Sequence, residues 1–301
     1  MAGLRRFGLL NLNKPPGLTS RRVVDAVAKL VRPQKAGHAG TLDPLATGVL
    51  VVCVGKATRL IELVQQQVKL YEAKFLLGRQ SDTDDVTGNV TEVALPCEVT
   101  RQRIEAALPA FCGPILQVPP SFSAVHVAGT RAYELARKGQ EVELAPREVD
   151  VFRIELTRFA YPEMELAIEC GSGTYVRSIG RDLGRLLGCG AVLSALVRTR
   201  IGPYRIEDAV SPEQLTPESI DRFLLPPTTA VEALPKYSAS AEDVAQIRAG
   251  RPFGSSLATG AAVEAPVGAP VAVLDDNGGL LCLAEFDPQK SRLLPRRVFV
   301  D

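Results

Sequence analysis

Residues 48–55, GVLVVCVG, form an unbroken apolar run closed by glycine at both ends, with the length of a buried strand. Everything else in the chain has to be arranged around such a strand. No apolar run approaches the roughly 20 residues of a membrane span. The start, MAGLRRFGLLNLNKPPG, meets a Pro-Pro-Gly turn before a signal-peptide core can form. A cytoplasmic globular protein, with no membrane association, is therefore expected.

Upstream, residues 9–13 read as a short strand and Pro15-Pro16-Gly17 as a turn. Thr19 or Ser20 then caps a helix with Val23, Val24, Val27, Leu30 and Val31 on one face, and Pro33 stops it. Between that helix and the buried strand lies a polar, glycine-bearing loop, QKAGHAGTLDP, at 34–44. Downstream the pattern predicts a helix over 57–65 and an alternating strand over 68–77, with Tyr71, Ala73, Phe75 and Leu77 on one face. An acidic turn at 81–88 and a helix near 101–108 follow. Next come a strand around 122–127, a capped helix over 130–139, and strands at 149–160 and 164–169. The sequence GSGTYVRSIGRDLGRLLG then reads as a glycine-rich turn opening a helix. Its N-terminus suits an anion, although such turns cap helices generally. Strands and helices mix without a βαβ period or a repeat, which predicts an α+β fold. After about residue 235 an Ala, Gly and Pro-rich stretch at 260–270 separates short strands at 271–274, 280–286 and 298–300. The 301 residues divide into a large domain over 1–235 and a small β-rich one over 236–301.

Six cysteines lie scattered without a CxxC, and the two histidines, His38 and His126, have no HxH or HExxH partner. Neither disulfides nor a metal nor any other cofactor is expected. The net charge is only +1, but residues 1–60 hold ten Lys or Arg against two acids, and 170–205 hold six against one. On one face these segments would attract a polyanion; as solvated helix faces they would attract nothing in particular.

Chemistry is sought where glycine and proline hold a loop open, and Gly40-Thr41-Leu42-Asp43-Pro44-Leu45-Ala46-Thr47-Gly48 fits that description. Locally, Asp43 is equally a helix cap, an Asx-turn residue before proline or a salt-bridge partner. No second carboxylate adjoins it as a glycosidase needs, and the chain has no GxSxG elbow.

The segments NLNKPPGLTS at 11–20 and GHAGTLDPLATGVL at 37–50 resemble the two N-terminal motifs of the TruB family of pseudouridine synthases. The order continues with Tyr71-Glu72-Ala73, the acidic turn at 82–88, PPSFSAVHVAGTRAYELARKG at 119–139, GTYVRSIGRDLG at 173–184 and LSALVRTRIGPY at 193–204. The resemblance spans about residues 8–205. It implies a mixed, largely antiparallel sheet, a thumb-like insertion over about 121–147 and a PUA-like RNA-binding module at the C-terminus. It also implies catalysis by Asp43, either by attack on C1′ or by removal of a ribose proton.

By the same resemblance, Arg177 pairs with and orients Asp43, Tyr71 stacks on the flipped uracil, and His38 fills the gap left in the RNA loop. Leu196 lines the pocket, Lys14 and Pro15 support the active-site loop, and Asp85 belongs to the acidic turn nearby. Without it, His38 reads as structural and Tyr71 as an ordinary strand aromatic. One departure is His126, where the family pattern carries lysine. The implied substrate is the T-arm of tRNA, bound by a monomer with no obligatory protein partner. A non-catalytic RNA-binding protein or tRNA folding chaperone accounts for the charge pattern equally well but leaves the GTLDPLATG motif without a use.

Overall fold

The structure, a computed structural model, describes residues 6–94, 98–123, 125–127, 129–137, 139–140, 143–254 and 268–300. The apolar run becomes β3 (Thr47–Val54), which follows β1 (Gly8–Lys14), α1 (Ser20–Leu30) and β2 (Ala36–His38). Its side chains divide between two cores. Leu50, Val52 and Val54 meet α1 through Val23, Val24 and Val27, while Val49, Val51 and Cys53 face the other side with Leu60 and Val64. Thr19 caps α1 by accepting from the Arg22 N–H, as its position before an apolar stripe leads one to expect.

The chain continues through α2 (Ile61–Gln66), β4 (Lys69–Leu77), a small hairpin of β5 (Arg79–Ser81) and β6 (Val90–Glu92), and α3 (Arg101–Ala107). It then forms β7 (Gly113–Gln117), the two-residue pair β8 (His126–Val127) and β9 (Thr130–Arg131), and α4 (Ala132–Arg137). After these come β10 (Arg147–Ala160), β11 (Glu163–Cys170), α5 (Val176–Leu187), β12 (Ala191–Ile201) and β13 (Tyr204–Arg205). The large sheet runs β1-β3-β12-β4-β11-β10-β7, with β2 on β3 and β13 on β12. Every pairing in it is antiparallel except β12 with β3, which meet in parallel only at Val197–Thr47 and Arg198–Gly48. This is the mixed, largely antiparallel α+β architecture that the sequence implies.

Because β12 leaves β3 after two residues, the rest of that β3 edge needs other partners for its backbone groups. The short strand β2 supplies them, so the loop expected over 34–44 contains a strand in its first half. Other differences have equally local causes. The helix expected over 57–65 begins as a 3₁₀ segment, Gly55–Leu60, with Thr58 Oγ1 bonded to the Gly55 carbonyl, and only then becomes α2. The strand expected over 122–127 shrinks to β8, and the helix expected over 130–139 to α4. The last strand is β17 (Arg292–Val298) rather than 298–300, and its Pro295 and three arginines hide the alternation of an edge strand.

On the inner face, Tyr71, Ala73, Phe75 and Leu77 of β4 pack against Val176, Ile179, Leu183 and Leu187 of α5, while Glu72 and Lys74 point outward. Helix and sheet approach closely because α5 carries glycine at 180 and 184. A Cβ on Gly184 would lie 2.4 Å from the Ala191 backbone nitrogen, and one on Gly180 would lie 2.1 Å from the Phe75 ring. The Gly184→Ala substitution is expected to lower the unfolding free energy by about 3 kcal/mol in urea titrations. Leu186→Ala, exposed on the same helix, should stay within about 0.5 kcal/mol of the parent.

The second sheet, β14 (Lys236–Ser238), β15 (Pro270–Leu274), β16 (Leu280–Asp287) and β17, packs against α7 (Ala241–Arg248) through Phe253, Ile247 and Leu293. Its other side joins the core beneath β3: Ala272, Leu280, Leu283 and Phe299 lie with Leu9 and Val49, and Phe299 stacks on Phe7 at 5.5 Å. Between these sheets the chain passes through the short α6 (Ile220–Phe223). Among the described residues no helix is long and apolar enough to cross a membrane.

Candidate active site

The loop between β2 and β3 is tied at consecutive residues by side chains that reach it from three other elements. Arg198 on β12 donates to the carbonyls of Gly40 (3.1 Å) and Thr41 (3.4 Å). Ser20, at the start of α1, accepts from the Leu42 N–H (2.8 Å) and donates to the Leu42 carbonyl (3.1 Å). The Ala46 N–H closes on the Asp43 carbonyl, and the Gly17 N–H on that of Pro44. Lys14 donates to the carbonyls of Pro15 (2.9 Å) and Leu18 (2.7 Å), with Pro44 at 3.5 Å. Gly40 and Gly48, at φ +118° and +96°, allow the bends at either end. The backbone is fixed by its neighbours, so the Asp43 side chain, 38% exposed, is left available for chemistry.

Arg177, near the start of α5, is almost wholly buried and faces Asp43 Oδ2 with its Nε at 3.0 Å. That contact lacks hydrogen-bond alignment, and the directed bonds go elsewhere: Nη1 to the Thr83 carbonyl (2.7 Å) and Nη2 to that of Phe122 (3.0 Å). Behind it Asp85 Oδ2 lies 3.7 Å from Nη1, while Asp85 Oδ1 accepts from Thr83 Oγ1, Thr87 Oγ1 and the Thr87 N–H. Two carboxylates therefore flank one guanidinium, the outer one partly exposed and the inner one buried.

Tyr71 is buried in the middle of β4, directly across from Arg198 on β12. Burial pushes its phenol above the ordinary value, with the charge of Arg198 opposing. Leu196, two residues earlier on β12, shares a core cluster with Tyr71, Leu42 and Ala46, and so forms an apolar wall. His38 ends β2, half-buried, with Nδ1 lacking any hydrogen bond. Burial, assisted by the charges of Arg198 and Arg21, holds its pKa below the usual value, which favours the uncharged ring. Lys14 is pulled down to about 8, chiefly by burial against the opposing pull of Asp43. Asp43, Arg177, Tyr71, His38, Leu196, Lys14, Pro15 and Asp85 thus converge around one loop. The side chain of His126 lies outside the described residues.

The sequence missed Ser20 as more than a possible cap, along with Arg198 and Thr83. It also missed Gln117, whose amide bonds both the N–H and the carbonyl of Tyr175 at the start of α5. It overcounted the basic surface as well. Lys14, Arg177 and Arg198 are buried, Arg6 pairs with Asp221, and Arg181 pairs with Asp84 and Asp182. Arg21, which shares an exposed ion pair with Asp25, and Arg22, Lys29, Arg32 and Lys35 remain exposed on α1 and the turn after it, beside the loop that Ser20 holds. Among the described residues no three His, Cys, Asp or Glu side chains gather as metal ligands.

The N-terminal domain model of the TruB family pseudouridylate synthases matches residues 28–176, and the model of the tRNA pseudouridylate synthase B C-terminal domain matches 177–232. A tRNA pseudouridine synthase B of Moorella thermoacetica is 41% identical, with 94% of each chain covered. The chain belongs to the TruB family. A relative of the same description from Dehalococcoides mccartyi is 45% identical over 244 residues, 80% of this chain and 81% of that one. Among solved structures, a Cbf5-Nop10-Gar1 complex aligns with a TM-score of 0.75 at 27% identity over 98% of this chain and 85% of that one. An H/ACA RNP bound to a substrate RNA containing 2′-deoxyuridine aligns at 0.73 and 26%, over 98% and 86%. Family membership makes the chain an RNA pseudouridine synthase that acts on tRNA, and therefore an isomerase.

Proposed function

We propose that the protein isomerises uridine 55 in the TΨC loop of tRNA, with Asp43 as the catalytic group. The observation that carries this reading is the half-open Asp43 carboxylate on a backbone-locked loop, with Arg177 against it. The reaction breaks N1–C1′, turns the base, joins C5 to the same C1′ and releases the C5 proton, while the freed N1 takes up a proton in its place. Atoms and oxidation state are conserved, so no cofactor is needed. Asp43 either attacks C1′ or removes a ribose proton, and Arg177 orients it for either route. Extruding the base costs about a few kcal/mol. The flat, uncharged ring of His38 takes the vacated place in the stack, while Tyr71 and Leu196 receive the uracil. Lys14 and Pro15 hold the loop, and Asp85 holds Arg177 from behind.

On this reading residues 1–235 are the catalytic domain and about 121–147 a thumb that closes on the T-arm. Residues 236–301 form a PUA-like module that touches the RNA away from the reacting base. The protein works as a cytoplasmic monomer without an obligatory partner. A T-arm transcript with cytidine in place of that single uridine should yield no pseudouridine, whereas the parent transcript yields one. Pseudouridine elsewhere in the substituted transcript would contradict the assignment.

The exposed cations of α1 provide the phosphate contacts. The Kd for tRNA should therefore rise at least about tenfold between about 50 and 200 mM salt, and the double variant Arg21→Ala/Arg22→Ala should flatten that slope. A filter-binding series checks both, and a salt-independent Kd would remove α1 from the interface.

A further inference from the structure

Arg198 is among the largest fully buried side chains in the protein, and the assignment of Asp43 and Tyr71 above leaves it without a task. It is aligned with Gly48 of β3 on one side and Tyr71 of β4 on the other. Gly48 makes that approach possible, since a Cβ there would lie 2.3 Å from the Arg198 carbonyl oxygen. Register shifts at Leu193/Ala195 and Arg198/Arg200 flank the segment that carries Leu196 and Arg198 on the Tyr71 face.

From there the guanidinium reaches Val49 O with Nε at 2.8 Å and the Gly40 and Thr41 carbonyls with its two Nη atoms. Three main-chain carbonyls accept from it, and no carboxylate of the described residues pairs with it. A buried cation without a counter-ion is a poor device for stability alone, because an apolar side chain of similar volume avoids the desolvation cost. Its position instead joins the two halves of the site.

We propose that Arg198 is a positioning residue for the isomerisation, fixing the Asp43 loop and the Tyr71 hydroxyl with one guanidinium. This rests on the reading of Asp43 and Tyr71 given above. The loop half follows from the bonds to Gly40 and Thr41, two and three residues before Asp43. The tyrosine half follows from hydrogen-bond valence. A phenol has one proton, and where its oxygen accepts an N–H from Arg198 that proton is directed away from the arginine, toward the pocket. Arg198 stands directly across from Tyr71 in the register of β12 and β4, and its charge acts on the phenol in the direction opposite to burial. Lysine cannot replace this fork, since an ammonium on a flexible stem does not present three separate nitrogens to Val49, Gly40 and Thr41.

The test compares Arg198→Lys with wild type by thermal melting, tRNA affinity and single-turnover pseudouridine formation. Arg198→Lys should fold and bind tRNA within about threefold of wild type, while the single-turnover rate falls about 100-fold. A rate within about threefold of wild type would overturn the proposal, and so would a rate loss matched by an equal loss of affinity. If Arg198→Lys does not fold, side-chain nitrogen NMR of arginine in Tyr71→Phe decides. Removing only the phenol oxygen should shift the Arg198 guanidinium resonances, and unchanged resonances would overturn the contact. Wild-type protein that binds tRNA yet forms no pseudouridine would remove the reading of Asp43 instead. The NMR comparison alone would then decide whether Arg198 holds Tyr71.

Discussion

Asp43→Asn is expected to lower the rate of pseudouridine formation by about 10⁴-fold or more while leaving the fold and the affinity for tRNA close to wild type. The separation of effects follows from how the loop is built. Its backbone is bonded by Arg198, Ser20, Lys14 and Gly17, and the Asp43 side chain contributes none of those bonds. Asparagine has the same shape, and the carboxylate it replaces is more than a third exposed. Arg177 loses one poorly aligned ionic contact but keeps Thr83, Phe122 and Asp85. The change in unfolding free energy should therefore stay within about 1 kcal/mol. Urea titration and filter binding check the retained properties, and a single-turnover assay checks the lost one. Residual turnover above about one per cent of the parent rate would show that Asp43 is not the group that carries the reaction.

Arg177→Met is expected to damage stability and rate together, with a loss of about 3–5 kcal/mol in unfolding free energy. Asp85 is buried, and without the guanidinium its outer oxygen faces an apolar side chain while Thr83 and Thr87 serve only the other one. The carbonyls of Thr83 and Phe122 lose their donors as well, so the acidic turn is left with the Arg181–Asp84 pair as its side-chain tie to α5, and the chain entering 121–147 is held less firmly. The double variant Arg177→Met/Asp85→Asn should regain part of the stability, because the uncompensated charge is gone, without regaining rate. If Arg177→Met melts like wild type, the guanidinium is not the keystone described here. If the double variant is less stable than the single, Asp85 is held by something other than charge.

The legible part of the fold was the part with a clean period. The run at 48–55, the valine stripe of α1, the alternation of β4 and the glycine-punctuated α5 all show their burial in sequence, because each buries one continuous face or both. β12 was not legible as a strand. Two register shifts break its alternation, and a buried arginine occupies an inward position where an apolar residue would announce the pattern. β7 failed for another reason: it is an edge strand of five residues, beginning Gly-Pro, with the exposed Leu116 beside the only fully buried position, Gln117.

At the site, local sequence placed Asp43 in an open loop and could not choose between a cap, an Asx turn, a salt-bridge partner and catalysis. The match to family motifs made that choice, and it also supplied a role for His38 nearby and the distant Tyr71, Arg177 and Leu196. Neither route found Ser20 or Arg198 as partners of the loop. Their contacts run to main-chain carbonyls and amides contributed by residues 22 to 158 positions away, and no side-chain pattern records them. The same blindness inflated the basic surface, since Lys14, Arg177 and Arg198 count as charges in the sequence while sitting in the core.

The central claim is isomerisation of a tRNA uridine by protein side chains alone. Tritium release from a tRNA transcript labelled at uridine C5, with purified protein in chelator and without nucleotide, tests it most directly. Release should level off at one tritium per tRNA. Binding of the same transcript with no release would contradict it.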